Sequence, residues 1–127
     1  MKLAVIGSRS ITDTDLTRYI TDRPDEIISG GARGIDTLAA AYAEANGIPL
    51  TVFLPDYARY GRSATHIRNR LIIEHADSVL AIWDGKSRGT LSSIGMARRL
   101  GKRLVVVNPY DDEDVPVLQQ PYHRMGR

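Results

Sequence analysis

Five short apolar runs alternate with longer amphipathic stretches along this chain. Several of the runs lack polar residues at alternate positions, which is typical of strands covered on both faces of a parallel sheet. They predict strands at Lys2–Ile6, Glu26–Ser29, Leu50–Leu54, Ser78–Trp83 and Arg103–Val107.

The stretches between these runs carry residues that start and stop helices. Thr12 and Ser63 suit N-cap positions, and Gly47 and Gly101 suit the position that follows a helix. Helices are predicted at Asp13–Thr21, Gly34–Asn46, Ala64–His75 and Thr90–Leu100. The resulting βαβαβαβαβ order predicts an α/β three-layer sandwich with a five-stranded parallel sheet and right-handed crossovers.

This sandwich accounts for residues 1–107, and residues 108–127 have a different character. They carry prolines and no apolar periodicity, with an acidic cluster at Asp111, Asp112, Glu113 and Asp114. We expect them to form a mobile tail, or an arm that packs on a partner.

Composition excludes several classes of protein. The 127 residues are 43% hydrophobic and 25% charged, as in ordinary globular domains. Cysteine is absent, which excludes disulfides and thiolate chemistry. No apolar run reaches membrane-spanning length, and the N-terminal run is too short for a signal peptide. We therefore expect a cytoplasmic protein without a membrane partner.

The net charge is only +2, yet 14 of the 17 basic residues are arginine. Arginine suits bidentate contacts with phosphate. The base composition of a genome can produce the same bias, so the arginine content alone does not establish a phosphate ligand.

The segment Ser29-Gly30-Gly31-Ala32-Arg33-Gly34-Ile35-Asp36 lies between a predicted strand and a predicted helix. Helix N-terminal N–H groups bind anions, glycines permit close approach of the backbone, and Arg33 adds a forked donor. This pattern predicts a site for a phosphorylated ligand, most simply a nucleotide. The alternative is a tight βα turn in which Asp36 only complements the helix dipole.

Ligands of parallel α/β sheets bind beyond the carboxyl ends of the strands, where the strand order reverses. If the order is 3-2-1-4-5, the loops after the first and fourth strands flank that point. Gly89 and Thr90 would then face the turn formed by Gly7, Ser8 and Arg9. The other loops contribute Tyr57 and Tyr60, which either stack on a base or anchor the loop.

Two further pairs of residues are candidates for this crevice. Arg68 and Asn69 follow in the third predicted helix, and because successive residues leave a helix in different directions, we expect at most one of them to reach the pocket. Asp36 and Asp84 could perform acid–base chemistry, although capping and turn roles are the more common ones for such loop carboxylates. The three histidines have no accepted metal-ligand spacing, so no metal is predicted.

Five segments together resemble the YspA-type, cpYpsA-related branch of the SLOG superfamily. They occur in the order Gly7-Ser8-Arg9, Ser29–Asp36, Tyr60-Gly61-Arg62, Ile67–Arg70 and Trp83–Thr90. The resemblance spans roughly residues 2–107. It implies a Rossmann-like fold, a nucleotide-derived ligand, no required cofactor and commonly a homo-oligomer.

The superfamily includes the Lonely-guy phosphoribohydrolases and the DNA-processing protein A group, and each suggests an alternative function. The hydrolases carry P-G-G-x-G-T-x-x-E, but here the position of the glutamate is Ser93, which puts hydrolysis of an N-glycosidic bond in doubt. The DNA-processing proteins share the run Ala32–Asp36 and bind single-stranded DNA. We expect binding or sensing of a nucleotide, with nucleotide hydrolysis and DNA binding as alternatives.

The expected ligand-binding residues come from the loops after the first, second and fourth strands and from the third predicted helix. Phosphate is assigned to the glycine-rich turn and to the turn that contains Gly89, and a ribose hydroxyl is assigned to Asp36 or Asp84. The full set is Gly7, Ser8, Arg9, Gly30, Gly31, Arg33, Gly34, Asp36, Arg68, Asn69, Asp84, Arg88, Gly89 and Thr90.

Overall fold

The computed structural model describes residues 1–110 of the chain. Its strands are β1 (Lys2–Gly7), β2 (Glu26–Ser29), β3 (Leu50–Val52), β4 (Ser78–Ile82) and β5 (Arg103–Val107). Its α-helices are α1 (Ile35–Ala45), α2 (Tyr57–Tyr60), α3 (Ala64–His75) and α4 (Arg88–Arg99). The predicted tail lies, from residue 111 onward, outside the described residues.

The five strands form one sheet in the order β3-β2-β1-β4-β5, and every neighbouring pair is parallel. β1 is central, with Ala4 aligned to Ile28 of β2 on one side and to Val79 of β4 on the other. The predicted sheet and the 3-2-1-4-5 order are confirmed.

Apolar side chains cover both faces of this sheet. On one face Val5 and Ile27 pack with Ile35 and Ala39 of α1, together with Leu16 from the β1–β2 connection. The opposite face is covered by α3 and α4 through Ile72, Ile73, Ile94 and Ala97. The expected three-layer, Rossmann-like sandwich is therefore confirmed, with α1 alone on one face and two long helices on the other.

The predicted helix Asp13–Thr21 is wrong. Only a 3₁₀ turn forms there, at Leu16–Arg18. Asp15, and not Thr12, caps this turn: its Oδ1 accepts hydrogen bonds from the Thr17 N–H at 3.0 Å and from the Thr17 hydroxyl at 2.7 Å. Such local bonds compete with a continuous helix, and the many Thr and Asp residues here favour helices poorly.

Three further local predictions need correction. α2 and a 3₁₀ turn at Gly61–Ser63 were not predicted. Ser63 makes no capping bond with its side chain, because that turn leads directly into α3. α4 begins two residues before the predicted Thr90, since Ser87 caps it. Within residues 1–110, no helix combines the length and the apolar character needed to cross a membrane.

Candidate ligand-binding site

A cavity of about 310 Å³ lies beyond the carboxyl end of β1, between the first turns of α3 and α4. This is the place where the strand order reverses, and its volume is at the lower end of the range for small-molecule sites. Ten predicted residues line it, from the loops after β1, β2 and β4 and from α1, α3 and α4: Gly7, Ser8, Arg9, Gly30, Asp36, Arg68, Asn69, Asp84, Gly89 and Thr90.

Two hydrogen bonds join the loop after β1 to the loop after β4. The Ser10 hydroxyl donates to Asp84 Oδ2 at 2.9 Å, and the Asp84 N–H donates to Ser8 Oγ at 3.1 Å. The N–H groups of Lys86 and Ser87 both donate to Asp84 Oδ1 at 2.8 Å. Asp84 is therefore a structural acceptor that shapes the cavity wall.

The electrostatics of Asp84 agree with this role. Hydrogen bonds from the backbone N–H groups of Ser87 and Lys86 lower the pKa of Asp84 to about 2. The carboxylate thus stays ionised near neutral pH and is a poor proton donor.

The start of α4 opens onto the cavity. Ser87 caps the helix, with its Oγ accepting from the Thr90 N–H at 3.3 Å, and its carbonyl is held by the Trp83 indole N–H at 2.9 Å. Within residues 1–110, the N–H groups of Arg88 and Gly89 have no acceptor. A Cβ added at Gly89 would meet nothing within 4 Å, so this helix terminus is accessible to an anion.

Arg68 crosses from α3 to the end of β2 and is only 9% exposed. Its Nη1 donates to the carbonyl of Gly30 at 2.6 Å and its Nε donates to Asn69 Oδ1 at 2.8 Å. Burial lowers the pKa of Arg68, while nearby Asp36 and Tyr57 oppose that effect. The expectation that only one of Arg68 and Asn69 reaches the cavity is wrong, because Asn69 turns towards Arg68 and both line it.

Asp36 contributes a second carboxyl group to the cavity. Its Oδ2 accepts a hydrogen bond from the Ala32 N–H at 3.0 Å. Burial raises the pKa of Asp36, although this hydrogen bond and the positive charge of Arg68 act in the opposite direction. Asp36 is therefore the cavity carboxyl that gains a proton more readily.

The glycines of the second loop mainly accommodate other parts of the protein. A Cβ at Gly30 would lie 2.7 Å from Arg68 Nη1 and 3.0 Å from Asp36 Oδ2. Gly34 has φ +76°, and a Cβ there would lie 2.6 Å from Arg9 Cα. Likewise the space beside Gly7 is filled by Ile35 and by the Ile82 carbonyl. These glycines let the loops and helices pack closely around the cavity.

Four predicted binding residues lie outside the cavity lining: Gly31, Arg33, Gly34 and Arg88. Arg33 and Arg88 are exposed, and Gly31 faces the side chains of Leu54 and Val52. A role for them in ligand binding stays a prediction.

Sequence reasoning did not assign Ser93 a place in the binding set, but its side chain lines the cavity. It is 4% exposed, and its hydroxyl has no hydrogen-bond partner among residues 1–110. Thr65, Ser10 and Ser87 also line the cavity without having been predicted to bind. A signal existed for Ser93, which is three residues beyond Thr90 and takes the position of the hydrolase glutamate.

No cluster of His, Asp or Glu suited to a metal ion occurs in the described part of the chain.

Comparison with family models gives a match to the family described as YspA, cpYpsA-related SLOG, over residues 1–60. The match includes the loops after β1 and β2 and ends within the Tyr60-Gly61-Arg62 segment. No curated protein matches the chain. This match confirms the resemblance for residues 1–60, and it agrees with a nucleotide-related Rossmann-like function.

Proposed function

We propose that the cavity binds a nucleotide-derived phosphorylated ligand. This proposal agrees with the match of residues 1–60 to the YspA, cpYpsA-related SLOG family. The observation that carries the proposal is the open N-terminus of α4 on the cavity wall. The N–H groups of Arg88 and Gly89, which have no acceptor within residues 1–110, and the positive end of a twelve-residue helix favour a phosphate beside Gly89.

The remaining polar groups of the cavity are compatible with the rest of such a ligand. Arg9 is exposed, lines the cavity, and makes no hydrogen bond or ion pair within residues 1–110, which suits a phosphate oxygen. The buried Ser93 hydroxyl lacks a partner, and a bound ligand would supply one. Asp36 provides an acceptor for a ribose hydroxyl.

Thermal unfolding with AMP tests the proposal. A ligand at 100 times its dissociation constant stabilises the folded state by about 2.7 kcal/mol, so the melting temperature should rise. Adenosine, which lacks the phosphate, should produce a much smaller rise. Equal shifts with both would contradict the assignment of phosphate to the α4 terminus.

A negative charge introduced at the N-terminus of α4 gives a more specific test. Gly89→Asp adds a carboxylate where a side chain has open space, so folding should be preserved while AMP affinity falls by about tenfold to a hundredfold. Leu91→Asp is the matched control, because Leu91 is 50% exposed in the same helical turn and does not line the cavity. Equal losses in both variants would indicate a general charge effect.

A second candidate function, hydrolysis of the N-glycosidic bond, is favoured by the raised pKa of Asp36. In this reaction water adds to the anomeric carbon and the base leaves with a proton, for which a cavity carboxyl is needed. Since Ser93 replaces the glutamate of the similar hydrolases, we expect little release of adenine from AMP. Ready release by the wild type, abolished by Asp36→Asn, would establish hydrolysis instead of sensing, and Ser93→Glu should raise any trace activity.

A further inference from the structure

The segment from Asp56 to Ser63 lies beside the cavity, and every residue in it is exposed. It contains the four-residue helix α2, with Tyr57 at its start and Tyr60 at its end. Since the segment adds no buried side chain to the core, its aromatic rings contribute little to folding.

The two tyrosines differ in what they contact. The Tyr57 hydroxyl lies 3.3 Å from Thr65 Oγ1, and Thr65 lines the cavity. Tyr57 also lies close enough to Arg68 to interact with it electrostatically. The ring of Tyr60 is instead covered by the guanidinium of Arg59, 5.2 Å from its centroid.

Tyr57 is thus anchored at its hydroxyl end to the α3 wall of the cavity, while the residue as a whole remains 62% exposed. The open terminus of α4 forms the opposite wall. The α3 wall is where the other end of a ligand with its phosphate at Gly89 would lie. An exposed aromatic ring held there suits the flat face of a nucleobase.

We propose that Tyr57 is the specificity-determining residue of this site, and that its ring stacks on the base of a nucleoside monophosphate. This inference rests on the proposed function and extends it from the phosphate and ribose of a nucleotide-derived ligand to the recognition of its base. Tyr60 has no part in recognition, because its ring already pairs with Arg59.

The experiment measures the affinities of AMP and ribose 5-phosphate for the wild type, Tyr57→Ala, Tyr57→Phe and Tyr60→Ala. Stacking on an aromatic side chain changes affinity by about fivefold to more than a hundredfold. Tyr57→Ala should weaken AMP by that factor and leave ribose 5-phosphate unchanged. Tyr57→Phe keeps the ring and should bind AMP nearly as well as the wild type, and Tyr60→Ala should match the wild type for both ligands.

The possible failures are distinguishable. A wild type that binds neither ligand would overturn the proposed function and this inference together. A wild type that binds AMP and ribose 5-phosphate equally well would overturn only the stacking role. Equal losses of AMP affinity in Tyr57→Ala and Tyr57→Phe would assign the effect to the hydroxyl and also overturn stacking. Thermal unfolding without ligand checks that all variants remain folded.

Discussion

Two strand–turn–helix junctions meet at the cavity, and they use glycine in opposite ways. At the β2–α1 junction, Gly34 makes room for the backbone of Arg9, and the first N–H of α1, from Ile35, donates to the Ser8 carbonyl at 3.4 Å. At the β4–α4 junction, Gly89 faces open space and its N–H has no acceptor within residues 1–110. The first junction is packed against protein, whereas the second is accessible to a ligand.

A glycine-rich turn before a helix is therefore not in itself an anion site. Glycine permits unusual backbone angles and close approach, but the approaching group can be another loop of the same protein. The β2–α1 turn has the more conspicuous sequence, yet the open helix terminus belongs to the other junction. The β2–α1 turn instead positions Asp36 and receives Arg68.

The largest expected effect is on the free energy of unfolding, which should distinguish Gly34 from Gly89. Gly34→Ala introduces a side chain at φ +76° and ψ −127°, a region occupied almost only by glycine, and brings its Cβ against Arg9. We expect a loss of roughly 1–3 kcal/mol, or more, in the free energy of unfolding measured in urea. Gly89→Ala should leave that free energy nearly unchanged or slightly higher. Similar losses of unfolding free energy in both variants would contradict the inference that only the β2–α1 junction is packed against protein.

The next effect distinguishes the loop after β1 from the β2–α1 junction by their contributions to ligand binding. Arg9 lines the cavity and Arg33 does not, although both are exposed loop arginines at the contact between Gly34 and the loop after β1. A charge-assisted hydrogen bond contributes about 1.5–3 kcal/mol, so Arg9→Ala should weaken AMP by roughly tenfold to a hundredfold. Arg33→Ala should weaken it much less. The reverse result would place the phosphate on the β2–α1 turn, as the sequence pattern first suggested.

The sheet was predictable because β1, β2 and β4 are buried on both faces, so their apolar runs are short but distinct. The alternation of strands and helices predicted parallel strands, whereas the order 3-2-1-4-5 was considered only as a condition for the position of the site. The helix Asp13–Thr21 was wrongly predicted because its apolar spacing is real, with Leu16 and Ile20 buried, but Asp15 bonds locally to Thr17. A side-chain hydrogen bond of this kind outweighs periodicity in a short segment.

The site was predictable as a set of loops but not in its internal roles. Whether the space beside Gly34 belongs to a ligand or to Arg9 depends on a contact between residues far apart in sequence. The same is true of Arg68, whose carbonyl partner Gly30 is 38 positions away. Ser93 could be singled out only by its position relative to a known motif, since an isolated serine in a helix carries no pattern of its own.

The carboxyl groups of the two junctions also differ, which gives the third prediction. The folded pKa of Asp84 is about 2 against an ordinary value of 3.8, so its contribution to stability is present above pH 3.8 and is lost as the pH falls through about 2. Asp84→Asn should therefore lower the free energy of unfolding at neutral pH. Its deficit relative to the wild type should shrink in acid. A deficit that is constant with pH would mean that the ionised carboxylate does not hold the β4–α4 turn.

Asp36 should show the opposite pH dependence, with the smallest effect. Because burial raises its folded pKa, its stabilising contribution is complete below the ordinary value of 3.8 and is lost as the pH rises through the raised value. Asp36→Asn removes this titration while an amide oxygen can still accept from the Ala32 N–H. The free energy of unfolding of this variant should therefore rise relative to the wild type as the pH increases through that range. A relative fall, as expected for Asp84→Asn, would mean that Asp36 is ionised and paired.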